Sequence, residues 1–360
     1  MILHIFPVGM FTKDYISFIK ENFDTNEHCF VKPLNANKAM GDIYHLDLFD
    51  SYANCVNILS FDFLSKLKKC NGILVHGMFG LKQPLLFNIL PGLCKKANWL
   101  IWGGDLYGSQ EQRKGFKKKF GELLKRHAVK KFQFITTLNK RDYKYAKQWY
   151  HVKGENLLAT YPVSSMLELE KINLIPKRPD EPLKIIIGNS ATSTNQHEEA
   201  LSILSKFKEE NIEIYLPLSY GFGDFHAYGE KIVTYATKIF GDKVRPIYKC
   251  IDAGEYTNLL QHMDIGIYNN NRQQAMGNIQ QMVWFGKKVY MRTDTSMWEN
   301  CRDDREFILN DISMIPNQSF DDFKYYNPQI QKINMQNARK YHSLERYLKV
   351  WGNIFEKMSQ

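Results

Sequence analysis

The chain has 360 residues, 48 Lys+Arg against 38 Asp+Glu for a net charge of +10, and 44% hydrophobic and 14% aromatic residues. This is a globular composition that excludes a disordered or fibrous chain, and the length exceeds what one core usually serves, so two domains are expected. No apolar run approaches the roughly 20 residues of a membrane span, and the opening MILHIFPVGM has neither a basic n-region nor a cleavage site, which gives a soluble, cytoplasmic protein as the expectation.

Short apolar runs rich in Ile, Val and Phe alternate with longer amphipathic stretches. The pattern predicts strand 2–6, helix 13–22, strands near 29–32 and 57–59, strand 72–76 and helix 83–96. Strand 99–102, a basic helix, strand 133–137, helix 140–150 and an apolar run at 157–161 follow. Residues 163–182 hold Ser164, Ser165, Pro176, Pro179 and Pro182 amid mixed charges and read as an interdomain linker. The alternation then restarts with strand 183–187, helix 195–209, strand 212–216, helix 224–240 and strand 244–248. It continues through helix 253–262, strand 265–268, helix 277–285 and strand 288–291, and closes on one long amphipathic helix over 338–358. Strands that are nearly continuous apolar runs belong to parallel sheets covered on both faces. The expected class is α/β, with two Rossmann-like domains (1–162 and 183–335) facing a cleft and a terminal helix (336–360) in reach of the N-terminal domain.

The six cysteines form no C-x-x-C pair, so they read as ordinary thiols rather than a metal site. The charge is uneven: residues 113–131 hold nine Lys/Arg against one acid, Glu122. Such clustering points to a polyanionic partner. Phe116, Phe120, Leu123 and Leu124 interrupt the lysines, as in a helix lying on an anionic membrane, and Lys114, Lys117, Lys118, Lys119, Lys125 and Arg126 are the expected contacts. A solvated helix face is the plainer alternative, and no nucleic-acid-binding motif accompanies the charge.

Chemistry concentrates at the carboxyl ends of predicted strands. After strand 183–187 come Gly188, Asn189, Ser190, Ala191, Thr192, Ser193, Thr194 and Asn195, a run of small and hydroxyl residues entering a helix. An α/β fold exposes backbone N–H groups to phosphate at such a place, although a turn with a capping Asn195 or Thr194 has the same composition. No Walker lysine is present, which excludes a P-loop. After strand 265–268, the polar run Asn269, Asn270, Asn271, Arg272, Gln273 and Gln274 leads into a helix that starts near Gly277 and Asn278. Its positive end and Arg272 suit a diphosphate. Ser219, Tyr220, Tyr248 and Tyr256 supply hydroxyls and aromatic faces for a base and ribose. In the N-terminal half, His76 and Gly77 end one strand, and Gly103, Gly104, Asp105 and Tyr107 follow another. His76 or Asp105 there is either a general base for an acceptor hydroxyl or a hydrogen-bonding strut. No D-x-D pair exists to hold a metal on a diphosphate, so a metal-independent site without a cofactor is expected.

Together IWGGDLY (101–107), GNSATSTNQH (188–197), LSYG (218–221) and YNNNRQQAMGN (268–278) resemble the motifs of glycosyltransferase family 56. The resemblance implies a GT-B type fold, a TDP-sugar donor of the 4-acetamido-4,6-dideoxygalactose kind and a polyprenyl-diphosphate-linked saccharide acceptor at the inner face of the bacterial inner membrane. It also implies that the C-terminal half binds donor while the half with His76 and Asp105 faces acceptor.

Overall fold

The computed structural model describes residues 1–6, 12–32, 55–57, 60–108, 116–162, 169, 181–221 and 224–360. In chain order its elements begin β1 (Ile2–Ile5), α1 (Thr12–Asn22), β2 (His28–Lys32), β3 (Cys55–Asn57), α2 (Phe61–Lys69), β4 (Gly72–His76) and α3 (Lys82–Ile89). Next come β5 (Ala97–Leu100), α4 (Gly104–Tyr107), α5 (Phe116–Val129), β6 (Phe134–Thr137), α6 (Lys140–Tyr150) and β7 (Glu155–Leu158). The second series is β8 (Leu183–Ile187), α7 (His197–Leu204), β9 (Ile212–Pro217), α8 (Phe225–Phe240), β10 (Val244–Ile247), α9 (Ala253–Gln261) and β11 (Ile265–Tyr268). It ends with α10 (Met276–Trp284), β12 (Lys288–Met291), α11 (Ser296–Glu299), β13 (Asn310–Asp311), α12 (Phe320–Lys324), α13 (Pro328–Tyr341) and α14 (Leu344–Ser359).

Two compact units result: Met1–Ser164 with Leu344–Gln360, and Ser165–Ser343. The first holds a sheet of order β3-β2-β1-β4-β5-β6-β7, the second one of order β10-β9-β8-β11-β12-β13, and every pairing in both is parallel. Each sheet buries its apolar strands on both faces, with Leu3, Ile73, Val75, Trp99 and Ile135 in the first core and Ile185, Ile187, Ile214, Ile265 and Ile267 in the second. Each such side chain contributes about 1.5–3 kcal/mol. The strand order reverses between β1 and β4 in one unit and between β8 and β11 in the other, and ligands of open α/β sheets bind at that reversal, beyond the carboxyl ends.

Helix α14 belongs to the first unit because its apolar side chains recur at helical spacing: Tyr347, Trp351, Ile354, Phe355 and Met358 are buried. Trp351 Nε1 donates to Thr160 O at 3.0 Å, and the Phe355 ring meets His28 at 4.6 Å.

Several element bounds differ from the sequence expectation. The helix expected over 83–96 stops at Ile89, and Pro91–Lys96 forms a 3-10 turn, because Pro91 has no N–H to donate. The strand expected at 99–102 lies at Ala97–Leu100, and the buried Oδ1 of Asn98 accepts from Thr136 N and Oγ1 at 3.1 and 2.9 Å. The strand expected at 57–59 is Cys55–Asn57, with residues 58 and 59 outside the described residues. Helix 195–209 shortens to α7 between two 3-10 turns. The single helix over 338–358 is the end of α13 and most of α14, broken where His342 turns inward to lie 3.3 Å from Arg305 Nη1. Of the linker expected at 163–182, only residues 169, 181 and 182 are described.

Candidate active site

In the second unit the reversal point is built around one amide. Gly188 directly follows β8, donates its N–H to Ile267 O at 3.0 Å and has φ +70. A Cβ there would lie 2.6 Å from His197 Nε2 and 2.7 Å from Asn195 Oδ1, so glycine is required both by conformation and by space. Asn195 is fully buried and acts as a hub: its Nδ2 donates to Ser190 O at 2.8 Å and Thr192 Oγ1 at 2.9 Å, and its Oδ1 accepts from Asn189 N at 3.0 Å and Asn270 Nδ2 at 2.9 Å. It thereby ties the loop after β8 to the loop after β11. Gln274 adds a second tie, accepting from Thr194 Oγ1 at 2.6 Å and donating to Asn189 Oδ1 at 3.1 Å. Asn189 Nδ2 donates to Tyr220 OH at 2.8 Å, and Ala191 N donates to Tyr220 O at 2.7 Å, which draws in the loop after β9.

This constellation carries polar groups that the fold does not satisfy. Asn269 Oδ1, Asn270 Oδ1, Gln273 Oε1 and His197 Nε2 are buried without a hydrogen-bond partner. Buried polar groups are almost always paired with protein or ordered water, so four close together make this the candidate place for a ligand's polar groups. The backbone is strained in the same place. Gln196 (φ 51) and Ala275 (φ 59) are non-glycine residues at positive φ, and they are the N-caps of α7 and α10. Neither cap side chain bonds the first turn of its helix. At α10, Gly277 has open space where a Cβ would stand, and Arg272, half-buried, donates from Nη1 to Gln273 O at 3.2 Å.

Asn278 Nδ2 donates to Tyr256 OH at 2.6 Å, which joins α10 to α9. Burial raises the Tyr256 phenol well above its usual range. Ser219 sits half-buried beside Tyr220. Tyr248 is not joined to the hub: its ring rests 3.6 Å from the Cβ position of Gly229 on α8. Sequence reading did not single out His197 as a site residue, and it named Asn269 only as the start of the polar run. His197 opens α7, with Nδ1 3.0 Å from Tyr228 OH, and burial lowers its pKa to about 4, so it is neutral at pH 7. A histidine three residues beyond the hydroxyl run was the available signal.

In the first unit, His76 ends β4 and is fully buried. Its Nε2 lies 3.4 Å from His4 Nδ1, its Nδ1 lies 3.3 Å from Tyr161 OH, and Phe6 stacks on it at 4.1 Å. Burial holds it neutral, well below the usual imidazole range. Asp105 is a strut: Oδ2 accepts from Trp99 Nε1 at 2.6 Å and Met78 N at 2.9 Å, and Oδ1 from Trp102 N at 2.9 Å. It pins the turn after β4 to the turn after β5. Gly77 (φ 70) and Gly103 (φ 90) form those turns, Gly104 opens α4, and Tyr107 OH donates to Asp142 Oδ1 at 3.0 Å. His76 and Asp105 line the same sheet end without a hydrogen bond between them.

The basic helix needs one correction. Lys125 is 2% exposed and cannot reach a membrane: its Nζ donates to Asp105 O at 2.6 Å, pairs with Glu122 at 3.0 Å and covers the Tyr150 ring. Lys117 and Lys119 are exposed and Arg126 is half-buried. Lys114 and the side chain of Lys118 lie outside what is described.

Two all-parallel α/β units, one with a strained polar constellation at its strand reversal, are the fold of a GT-B glycosyltransferase. A glycosyltransferase from Rickettsia africae ESF-5 aligns over 99% of this chain and 97% of its own, with TM-score 0.67 and 11% identity. A structure described as trehalose-6-phosphate from E. coli bound with UDP-2-fluoro glucose aligns over 99% of both chains, with TM-score 0.62 and 8% identity. The pneumococcal O-GlcNAc transferase GtfA, in complex with UDP and GlcNAc, covers 82% of this chain and 60% of its own at TM-score 0.55 and 8% identity. At these identities the likeness is one of fold. Within that class, the profile of the family described as 4-alpha-L-fucosyltransferase glycosyl transferase group 56 matches residues 25–358. The chain belongs to that family.

Proposed function

We propose that this glycosyltransferase moves a deoxy-amino sugar of the 4-acetamido-4,6-dideoxygalactose type from TDP to a polyprenyl-diphosphate-linked saccharide in bacterial surface polysaccharide synthesis. That sugar is a fucose analogue, since fucose is 6-deoxygalactose, which accords with the family's description. The observation that carries the reading is the set of buried, unpartnered groups at Asn269, Asn270, Gln273 and His197, next to the side-chain-uncapped start of α10. The three amide oxygens are acceptors, suited to sugar hydroxyl or acetamido N–H groups. The α10 terminus with Arg272 suits the leaving diphosphate, which it would stabilise as negative charge develops, without a metal. Ser219 and Tyr220 adjoin this set and suit the nucleoside.

The acceptor side is the first unit, at the end of β4. His76 stands there as a neutral imidazole behind Tyr161, and Asp105 holds the surrounding turns, so Asp105 serves as a positioning residue. The enzyme would work at the inner face of the inner membrane, where such acceptors lie. Among the described residues no helix is long and apolar enough to cross a membrane.

The test is incubation with TDP-sugar alone and with TDP-sugar plus lipid-linked acceptor, in the presence of a chelator. The proposal expects TDP release and a lengthened lipid-linked saccharide only when both substrates are present. Rapid conversion of the donor without acceptor would make the chain a nucleotide-sugar hydrolase or epimerase instead.

A further inference from the structure

Helices α3 and α5 pack against each other. A Cβ on Gly121 of α5 would lie 3.4 Å from the O of Gly80, in the turn before α3, and Asn88 Nδ2 of α3 bonds Leu124 O at 2.9 Å. A pair packed this way normally turns its apolar residues inward. Here a second set points out. On α5, Phe116 is 82% exposed and Leu123 63%, with Phe120 between them. The spacing i, i+4, i+7 puts the three on one stripe. Phe116 and Phe120 stack on each other, centroids 6.0 Å apart and planes within 5°, rather than on the protein. Along α3, Leu81, Leu85 and Ile89 form a like stripe at i, i+4, i+8, with Ile89 66% exposed and Leu90 following. Leu81 borders α5, its Cδ1 being 3.9 Å from the Cβ position of Gly121. Single exposed apolar residues need no explanation, but two stripes flanking one helix pair do.

The charges around the stripes identify what covers them. Lys82, Lys117, Lys119, Lys130 and Lys131 are exposed on or beside these helices. Within described residues 81–131 the acids are Asp105, buried as a strut, and Glu122, paired with Lys125 at 3.0 Å. The described residues of this segment therefore offer aromatic and branched apolar side chains beside exposed cations, and both of its described acids are engaged within the fold. A protein partner would be expected to meet mixed charge, whereas an anionic bilayer supplies both an apolar layer and negative headgroups.

We propose that the α3–α5 face is a bilayer-docking surface, with Phe116, Phe120 and Leu123 on one helix and Leu85 and Ile89 on the other entering the headgroup boundary and the lysines resting on anionic headgroups. This rests on the reading of a lipid-linked acceptor for its purpose, but vesicle binding makes no use of turnover, so its failure leaves that reading intact.

The test is co-sedimentation of the full chain with vesicles of phosphatidylethanolamine containing about a quarter phosphatidylglycerol. Phe116→Ser/Phe120→Ser and Leu85→Ser/Ile89→Ser should each lower partitioning by about tenfold or more, with unchanged circular dichroism because all four side chains face solvent. Lys117→Glu/Lys119→Glu should abolish the preference for phosphatidylglycerol over phosphatidylcholine vesicles. Unchanged partitioning in either serine pair overturns the proposal. So does a lipid-free dimer that the same serine substitutions dissociate, since the face would then belong to a second copy of the chain.

Discussion

Gly188→Ala isolates the steric logic of the loop after β8. At φ +70 a Cβ costs about 1–2 kcal/mol from the left-handed backbone alone. Contacts of 2.6 Å to His197 Nε2 and 2.7 Å to Asn195 Oδ1 are well inside van der Waals range, and relieving them by shifting buried groups adds about 1–3 kcal/mol. The sum is a loss of about 2–5 kcal/mol in the second unit. Gly80→Ala is the control, because Gly80 has φ +69 but nothing within 4 Å of its Cβ position, so about 1–2 kcal/mol is expected there. Peptide-resolved hydrogen exchange reads each unit separately, and titration with TDP reads the site. Gly188→Ala should accelerate exchange around 185–204 and 265–284 and weaken TDP, because moving Asn195 releases both Asn189 N and Asn270 Nδ2. Equal destabilisation by the two substitutions, or unaltered TDP binding in Gly188→Ala, would refute the steric reasoning.

Arg272→Ala should cut turnover by more than roughly tenfold, the scale of one charge-assisted contact, with thermal stability retained; near-normal turnover removes Arg272 from the diphosphate site. Lys125→Ala should lower the stability of the first unit by about 2–4 kcal/mol by removing the bonds to Asp105 O and Glu122, and leave vesicle binding of the folded protein alone. Lys117→Ala should do the reverse, and urea unfolding with vesicle sedimentation separates the two. Burial depresses His197 from 6.5 to about 4, so its neutral form stabilises the fold fully above pH 6.5 and loses about 1.4 kcal/mol per unit as pH falls to about 4, about 3 kcal/mol in all. His4, His28 and His76 are depressed in the same direction by burial, so hydrogen-exchange protection, taken relative to the intrinsic exchange rate at each pH, should fall more in the first unit than in the second between pH 7 and 5.

The architecture was legible because parallel strands covered on both faces leave unbroken apolar runs such as Ile185–Ile187, a local signal. The loops proposed to hold the donor carry a local signal too, since small and amide residues crowd directly behind those strands. What escaped depends on contacts far apart in sequence. Lys125 reads as one more cation in a basic helix, and only the arrival of Asp105 O and Tyr150 makes it a core residue. The strand expected from 99 takes in Asn98 because Thr136 pairs with it across the sheet. His197 looks like an ordinary helix residue until the fold buries its Nε2 with nothing to bond. The break between α13 and α14 carries neither Gly nor Pro, and follows from the burial of His342 beside Arg305.

The measurement that bears most directly on the proposed donor site is calorimetric titration of the full chain with TDP, UDP, GDP and CMP, repeated on Arg272→Ala. TDP should bind most tightly of the four, and Arg272→Ala should weaken it by roughly tenfold. Preference for another nucleotide would overturn the TDP assignment, and TDP affinity indifferent to Arg272 would contradict the placement of the diphosphate at the start of α10.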